Sequence, residues 1–178
     1  MREIEVKARV ADEKAYLKKA KELGIEFGPE IEQLDVTFTN DTPYDDPAWN
    51  IFRIRKQGGK TILTMKYKAS DRSRDNHERE TEVQDGKQVA DMLIRVGYTH
   101  DVSIRKVRRK AVYEGLEVCF DHVDELGCFT EVEALCEEDA DVDEVQTRLW
   151  NIMKKLGIKE EDRVHKGYDT LMRIHKGM

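Results

Sequence analysis

The sequence is poor in several residue types that mark particular classes of protein. Among 178 residues there are 3 cysteines, 3 prolines and 7% aromatic residues. Cys119, Cys128 and Cys136 are odd in number and form no C-x-x-C pair, so we expect reduced thiols rather than a disulfide framework or a zinc site. No run of about 18 apolar residues occurs, which excludes a membrane-spanning helix. Because the first ten residues contain no signal-peptide core, we expect a cytoplasmic protein without a membrane partner.

Charged residues are abundant instead. They make up 38% of the chain, against about 25% in an average soluble domain. There are 31 Lys and Arg residues and 37 Asp and Glu residues, which gives a net charge of −6. The apolar share of 39% is low, yet it is too high for a disordered chain. The length suits one domain, so we expect a single domain over residues 1–178.

Period-two patterns dominate the chain and predict a mainly β structure. The predicted strands are 2–10, 31–39, 50–57, 60–67, 77–83, 103–113, 115–122 and 128–136. The predicted helices are 12–24, 86–97, 141–156 and 168–175, and the segments 40–49 and 69–76 are predicted loops. Gly58 and Gly59 predict a hairpin turn between the third and fourth strands. Antiparallel strands accompanied by a few helices indicate an α+β fold.

Each predicted strand carries charged side chains on one face, because residues two apart in a strand share a face. The first strand groups Glu3, Glu5 and Lys7, whereas a later one groups Lys106 and Arg108. For a single strand, a solvated face with cross-strand ion pairs is the simplest interpretation. Solvent does not require acids and bases to segregate strand by strand. A polyanion bound through metal ions does require it, because Lys and Arg bind phosphate oxygens and carboxylates hold Mg²⁺ or Mn²⁺.

The order of the charged motifs resembles that of the CYTH family, which includes class IV adenylyl cyclases, thiamine triphosphatases and other triphosphate tunnel metalloenzymes. The motifs are Glu3-Ile4-Glu5-Val6-Lys7, Gln33-Leu34-Asp35, Arg53-Ile54-Arg55, Thr64-Met65-Lys66, Glu80-Thr81-Glu82, Lys106-Val107-Arg108 and Phe120-Asp121-His122-Val123 followed by LGCFTEVE at 126–133. The last block is similar to the cyclase-type branch. The chain departs from the family in having Thr37 where an aromatic residue is frequent, and Gly167-Tyr168 where Ser-Tyr is frequent.

The resemblance implies a closed eight-stranded antiparallel β-barrel with helices packed outside and a small-molecule triphosphate bound in the tunnel. The residues that it implies for triphosphate binding are Lys7, Arg53, Arg55, Lys66, Lys106 and Arg108, with Lys66, Lys106 and Arg108 as the catalytic groups. The residues that it implies for two Mg²⁺ or Mn²⁺ ions are Glu3, Glu5, Asp121, Glu131 and Glu133, supported by Glu80 and Glu82. A homodimer is compatible with the resemblance.

Two reactions remain open at this point, because the shared motifs serve both. A class IV adenylyl cyclase converts ATP to 3′,5′-cyclic AMP and pyrophosphate, whereas a triphosphatase hydrolyses thiamine triphosphate, inorganic triphosphate or a nucleoside triphosphate. The LGCFTEVE block favours the cyclase, and so does the absence of a tyrosine from 31–39, where some hydrolytic members pair a tyrosine with a lysine. A non-catalytic binder of polyphosphate or nucleotide is a third alternative.

Three other features give weaker predictions. The basic run at 105–110 suggests nucleic-acid binding, but the net charge of −6 argues against that partner. The five histidines lack metal-ligand spacing, and we interpret each as a surface or local structural residue. Finally, we expect the loop at 69–76, through Arg72 and Arg74, to close over a nucleotide base.

Overall fold

The computed structural model describes residues 2–43, 46, 48–68, 75–137 and 139–178. Eight strands form one closed antiparallel barrel in the order β1-β5-β4-β3-β2-β6-β7-β8. They are β1 (Arg2–Arg9), β2 (Ile31–Thr39), β3 (Asn50–Gln57), β4 (Lys60–Lys68), β5 (Asp75–Val83), β6 (Thr99–Tyr113), β7 (Leu116–Val123) and β8 (Gly127–Cys136). The predicted class, an α+β protein built on a closed eight-stranded barrel, is confirmed.

The helices begin and end at the predicted signals. They are α1 (Glu13–Glu22), α2 (Gly86–Arg95), α3 (Val142–Lys155) and α4 (Tyr168–Lys176), and a 3-10 turn covers Glu160–Asp162. The side chains of Asp12, Asp85 and Asp141 accept hydrogen bonds from the first backbone N–H groups of α1, α2 and α3, and so supply the missing acceptors of each first turn. In the described part of the chain, no helix is both long enough and apolar enough to cross a membrane.

Strand β1 closes the barrel because it pairs on both sides. It pairs along its full length with β8, where Glu5 lies opposite Glu133 and Lys7 lies opposite Glu131. On its other side it pairs with the start of β5, where Glu3 lies opposite Asn76. The pairing with β5 covers only Arg2–Ile4, and the closure turns one face of every strand toward a shared interior.

The outer face of the barrel is apolar where helices cover it. Val6 on β1 and Phe120 on β7 belong to one buried cluster with Tyr16 of α1 and with Leu149 and Met153 of α3. A smaller cluster joins Leu93 of α2 to Phe38 and Ile54. Burial of this apolar surface against three helices contributes most of the driving force for folding of this part.

Helix α4 occupies a different position, against the inward side of the barrel. Its residues Tyr168 and Met172 form a buried cluster with Ile104 of β6 and Phe129 of β8. The rings of Phe129 and Tyr168 meet edge to face, with 5.1 Å between their centroids. The expectation of helices outside the barrel therefore describes α1, α2 and α3, whereas α4 contacts interior residues.

Strand β6 begins four residues before its predicted start at 103. The pairing of β2 with β6 shifts register between Val36 and Phe38, which is the signature of a β-bulge. The Thr37 hydroxyl lies 3.1 Å from the Asp101 carboxylate and 3.2 Å from both the N–H and the C=O of Val102. Because a bulge interrupts the alternation of faces, the period-two pattern did not extend to this end of the strand. The loop predicted at 69–76 is wrong for its last two residues, because β5 begins at Asp75. The other residues, 69–74, lie outside the described residues, and so does the predicted closure of Arg72 and Arg74 over a base.

Candidate functional site

The interior of the barrel contains a cavity of about 1000 Å³. This volume lies at the upper end of the range for small-molecule sites. Its walls are unusual for such a site because they are mainly charged. The charged barrel residues that line the cavity are Glu3, Glu5, Asp35, Glu78, Glu80, Glu131 and Glu133, together with Lys7, Arg53, Arg55, Lys66, Lys106, Arg108 and Lys110.

Arg53 and Lys66 share the carboxylate of Glu78. Lys66 forms an ion pair with Glu78, and one Nη of Arg53 lies 3.4 Å from the same carboxylate and 3.1 Å from that of Glu80. Burial alone would lower the pKa of Lys66, but the negative charges of Glu78 and Glu3 outweigh burial and raise it. Lys66 is therefore positively charged in the empty cavity.

Arg55 forms a bidentate ion pair with Asp35 on the neighbouring strand β2. The Nε and Nη2 groups of Arg55 donate to the two Asp35 oxygens at 2.7 and 2.8 Å. Burial would raise the pKa of Asp35, but hydrogen bonds from Arg55 and the positive charges of Arg53 and Arg55 hold it well below its usual range. This geometry fixes the plane of the Arg55 guanidinium toward the cavity.

Asp121 joins three side chains in the interior. Its carboxylate, which has no exposed surface, accepts hydrogen bonds from Arg108 at 2.7 and 2.5 Å, from Lys106 at 3.3 Å and from the Tyr168 hydroxyl at 2.9 Å. Burial and the neighbouring charge of Arg108 together lower the pKa of Lys106 to about 8, against the opposing effect of Asp121. Lys106 can therefore gain or lose a proton near neutral pH.

Glu131 holds two further bases in position. It forms an ion pair with Lys7 at 2.8 Å and another with Arg108. The Lys7 ammonium also lies 3.6 Å from the centre of the Tyr168 ring, which is a cation–π contact. Bases from β1 and β6 are thus fixed on one side of the cavity by Glu131, Asp121 and the first residue of α4.

Three carboxylates converge at another place in the cavity. Glu3, Glu5 and Glu133 each offer an oxygen, and these oxygens all lie within 4.8 Å of one another. Burial and the negative charges of Glu3 and Glu131 raise the pKa of Glu133 to about 8. The pKa of Glu3 is also raised, mainly by burial. We call these three residues the acidic group.

The acidic group fits a hard divalent cation. All its donors are carboxylate oxygens, which Mg²⁺ and Mn²⁺ prefer over nitrogen or sulfur. Burial and the negative charge of Glu3 both disfavour the ionised form of Glu133, and a bound cation would compensate both effects. Of the five predicted metal ligands, the structure brings these three together in one group.

The remaining predicted acids have other surroundings. Glu131 and Asp121 line or border the cavity, but their oxygens bind basic side chains. Glu80 lies on the cavity wall and accepts hydrogen bonds from Arg53 and from the Thr64 hydroxyl. Glu82 does not join them: it is more than half exposed, lies outside the cavity lining and pairs with Lys60 at 2.8 Å. Its position near the end of β5 explains this difference, since the alternation of faces does not indicate where the cavity ends.

All six predicted triphosphate ligands line the cavity. Three further residues, which the sequence analysis did not include in the site, contact these ligands and hold them in position. Asp35 and Glu78 hold Arg55, Arg53 and Lys66, and their positions in the strand alternation could have identified both. Tyr168 contacts Asp121 and Lys7, although the Gly167-Tyr168 pair gave no sign of a role. Only the packing of α4 brings that ring into the interior.

Comparisons with known proteins show the family of the chain. The sequence model of the CYTH domain matches residues 1–168, so the chain belongs to the CYTH family. A Methanocaldococcus jannaschii protein, named as a candidate adenylate cyclase, is 28% identical over 172 residues, which are 94% of this chain and 97% of that protein.

Solved structures share the fold. A Pyrococcus horikoshii protein of known structure is 29% identical and has a TM-score of 0.80, with 95% of this chain and 98% of that chain covered. A Hippeastrum protein, a candidate adenylyl cyclase with a dominant triphosphatase activity, is 18% identical and has a TM-score of 0.62. The match covers 99% of this chain and 96% of the Hippeastrum chain. At this identity the likeness concerns the fold alone.

Proposed function

We propose that this chain is a divalent-metal-dependent enzyme that binds a nucleoside or organic triphosphate inside the barrel. One observation carries the proposal. The acidic group shares a single cavity with six bases, which are Lys7, Arg53, Arg55, Lys66, Lys106 and Arg108. We call these six residues the basic row. A ligand that satisfies both sets must be a polyanion that also carries a metal ion.

The arrangement of the basic row supports a triphosphate rather than a single phosphate. Its members come from β1, β3, β4 and β6; β3 and β4 are neighbours in the barrel, whereas one strand separates β1 from β4 and another separates β3 from β6. Charges distributed in this way suit a chain of linked phosphate groups. Ion pairs with Asp35, Glu78, Asp121 and Glu131 neutralise the bases and orient them toward a substrate.

The cyclase reaction is the one that we propose first. In this reaction the ribose 3′-oxygen of ATP attacks the α-phosphorus, the bond to the β-phosphate oxygen breaks, and pyrophosphate leaves. Lys66, Lys106 and Arg108 would stabilise the negative charge that develops on the phosphate oxygens. A divalent ion held by the acidic group would supply further charge neutralisation. The LGCFTEVE block and the name of the Methanocaldococcus relative both support this choice.

Triphosphate hydrolysis is the alternative, with the same residues in the same roles. Water would attack the terminal phosphorus, the bond from that phosphorus to the bridging oxygen would break, and the shortened phosphate chain would leave; the attacked phosphoryl group and the water oxygen together form orthophosphate, with a proton released to solvent. The positions of the basic row and the acidic group suit either reaction, because both need the phosphate chain to be held and its charge compensated. The identity of the product therefore decides between them.

The test is to incubate the protein with ATP, thiamine triphosphate and inorganic triphosphate, each with Mg²⁺ and with Mn²⁺, and to identify products by mass. We expect cyclic AMP and pyrophosphate from ATP. Release of orthophosphate would instead show that the protein is a triphosphatase and not a cyclase. Tight binding of a triphosphate without any product would contradict the proposal that the protein is an enzyme, and would indicate a non-catalytic binder instead.

The variant Glu5→Gln tests whether turnover depends on the acidic group in the cavity. It removes one charge from the acidic group, and we expect turnover to fall by at least about 100-fold, because even partners that only orient a metal ligand contribute about 10–100-fold. The matched control is Glu32→Gln, whose exposed side chain lies on the other face of β2 from Asp35. Equal activity of the two variants would contradict the assignment of the acidic group.

A further inference from the structure

A second cluster of metal-ligating side chains lies on the outer surface of the barrel, away from the cavity. It consists of Glu13 in the first turn of α1, His122 on β7 and Cys128 on β8. His122 and Cys128 lie opposite each other in the β7–β8 pairing. Their strand neighbours Asp121 and Phe129 point inward, so His122 and Cys128 point outward.

Backbone contacts hold Glu13 beside His122 and Cys128. The N–H of Val10 donates to the Cys128 carbonyl at 2.9 Å, directly before the turn into α1. Asp12 then caps the helix by accepting a hydrogen bond from the Ala15 N–H at 3.0 Å. Glu13 therefore enters the cluster from a helix terminus that is tied to the same strand as Cys128.

The two donor distances that involve the Cys128 sulfur are close to the edges of a tetrahedral metal site. The Cys128 sulfur lies 3.5 Å from Nδ1 of His122 and 3.8 Å from Oε2 of Glu13, and all three donor atoms lie within 4.8 Å of one another. Zinc binds sulfur at about 2.3 Å and nitrogen at about 2.0–2.1 Å, which places such ligands about 3.5 Å apart in a tetrahedron. Small movements of exposed side chains would complete the site.

We propose that Glu13, His122 and Cys128 form a site for a zinc-like transition metal, with the fourth position open to solvent. One sulfur, one nitrogen and one oxygen ligand suit Zn²⁺ and suit Mg²⁺ poorly. The acidic group, which has oxygen ligands only, has the opposite preference. The protein would then hold two kinds of metal on opposite faces of the sheet, with β8 contributing Glu133 to one and Cys128 to the other.

The surroundings of Cys128 favour a metal ligand over a reactive nucleophile. The Cys128 sulfur lies 3.8 Å from a carboxylate oxygen of Glu13, whose negative charge would repel a free thiolate at this place. A metal ion would remove this conflict, because it displaces the thiol proton and compensates both negative charges. The site would also join the start of α1 to β7 and β8.

The experiment is a titration of the purified full chain with Co²⁺ in the presence of excess Mg²⁺. Cobalt bound to a thiolate gives a charge-transfer absorption band that cobalt bound to carboxylates alone lacks. We expect one equivalent of Co²⁺ to produce this band and Zn²⁺ to abolish it. We also expect Zn²⁺ to raise the melting temperature, because a ligand that binds only the folded state stabilises it.

Matched variants assign the band to the cluster. Cys128→Ser and His122→Gln should each weaken metal binding by more than about 100-fold, since both remove a direct ligand. The control Cys136→Ser changes the same residue type on the same face of β8 and should retain the band and the zinc-induced shift. Glu13→Gln should weaken binding, whereas Glu22→Gln at the other end of α1 should not.

Several results would overturn the proposal. The first is the absence of a cobalt–thiolate band in the unaltered protein. The second is a loss of the band in Cys136→Ser as large as in Cys128→Ser, and the third is Co²⁺ binding by His122→Gln as tight as by the unaltered protein. A band that persists in Cys128→Ser would assign the metal to another thiol. Cys119, which is fully buried beside Glu117 and Glu133, is that other candidate.

Discussion

Arg108 stabilises the folded barrel in addition to its proposed role in binding the ligand. Its guanidinium binds Asp121, which has no exposed surface, and also Glu131, which is nearly as deeply buried. Isolated buried charges cost several kcal/mol each, so these two acids depend on their basic partner. Residues that line a ligand site are often dispensable for stability. The geometry around Arg108 indicates the reverse for this side chain.

Arg108→Ala should therefore destabilise the fold as well as weaken triphosphate binding. We expect the free energy of unfolding to fall by about 3–5 kcal/mol, because the change leaves two buried carboxylates without their main partner. Urea unfolding measures this quantity. The control Arg105→Ala alters an exposed residue on the opposite face of β6 and should change stability by less than about 0.5 kcal/mol. Similar stabilities for the two variants would contradict the role of Arg108.

Glu133 predicts a specific pH dependence of the metal-free protein. Its pKa is raised to about 8, whereas a glutamate in the unfolded chain titrates near 4.3. Between these values the folded state holds a proton that the unfolded state has lost, so stability decreases as the pH rises toward about 8. Glu133→Gln removes this cost and should make the metal-free protein more stable than the unaltered one at pH 8 and above.

The expected difference for Glu133→Gln is at most about 5 kcal/mol, since the two pKa values differ by nearly four and one pKa unit corresponds to about 1.4 kcal/mol. It should vanish below about pH 3.5, where both the folded and the unfolded state are protonated. Urea unfolding with a chelator across this pH range measures it. Glu32→Gln, an exposed change, should show no such trend, and a difference for Glu133→Gln that is constant with pH would refute the assignment.

At the scale of elements, the position of α4 depends on Tyr168, the first residue of that helix. The Tyr168 hydroxyl donates to Asp121 at 2.9 Å, and its ring lies under Lys7 and against Phe129. The helix is therefore connected to the charged interior through a hydrogen bond to a carboxylate. Such bonds contribute more to stability than bonds between neutral groups.

Tyr168→Phe should lower the free energy of unfolding by about 1.5–3 kcal/mol, because it removes a hydrogen bond to a charged group and keeps the ring. The control is Tyr98→Phe, which removes a hydrogen bond to the neutral side chain of Asn50 and should cost about 1 kcal/mol. Chemical denaturation compares the two. A loss for Tyr168→Phe no larger than for Tyr98→Phe would show that the contact with Asp121 has no special weight.

The sequence predicted the strands well where alternation is regular. In β1 the charged residues Glu3, Glu5 and Lys7 alternate with apolar residues, and the structure turns the charged set inward. The start of β6 was missed because the bulge opposite Thr37 breaks that alternation. Local patterns thus predict a strand as far as its geometry stays regular.

Contacts between distant segments explain what the sequence could not reveal about the interior. Tyr168 reaches the interior only because α4 packs against Ile104 and Phe129. The three members of the outer cluster lie 115 residues apart at the extremes, and their spacing matches no metal motif. Linear spacing predicts a surface or local structural role for every histidine, whereas the structure brings His122 into a cluster with Glu13 and Cys128.

At the scale of the whole molecule, the high charge content has a structural explanation. Part of the charge lies inside the closed barrel, where acids and bases on its strands compensate one another. The apolar residues form clusters with the surrounding helices and at the inner face of α4. The usual arrangement, with an apolar interior and a charged exterior, is thus partly inverted in this fold.

The most direct measurement is anomalous diffraction from crystals grown with Mn²⁺ and inorganic triphosphate. We expect a manganese peak bound by oxygens of Glu3, Glu5 and Glu133, with the triphosphate beside it in contact with Arg55, Lys66 and Arg108. Manganese and triphosphate on the outer surface, with only solvent inside the barrel, would contradict the account.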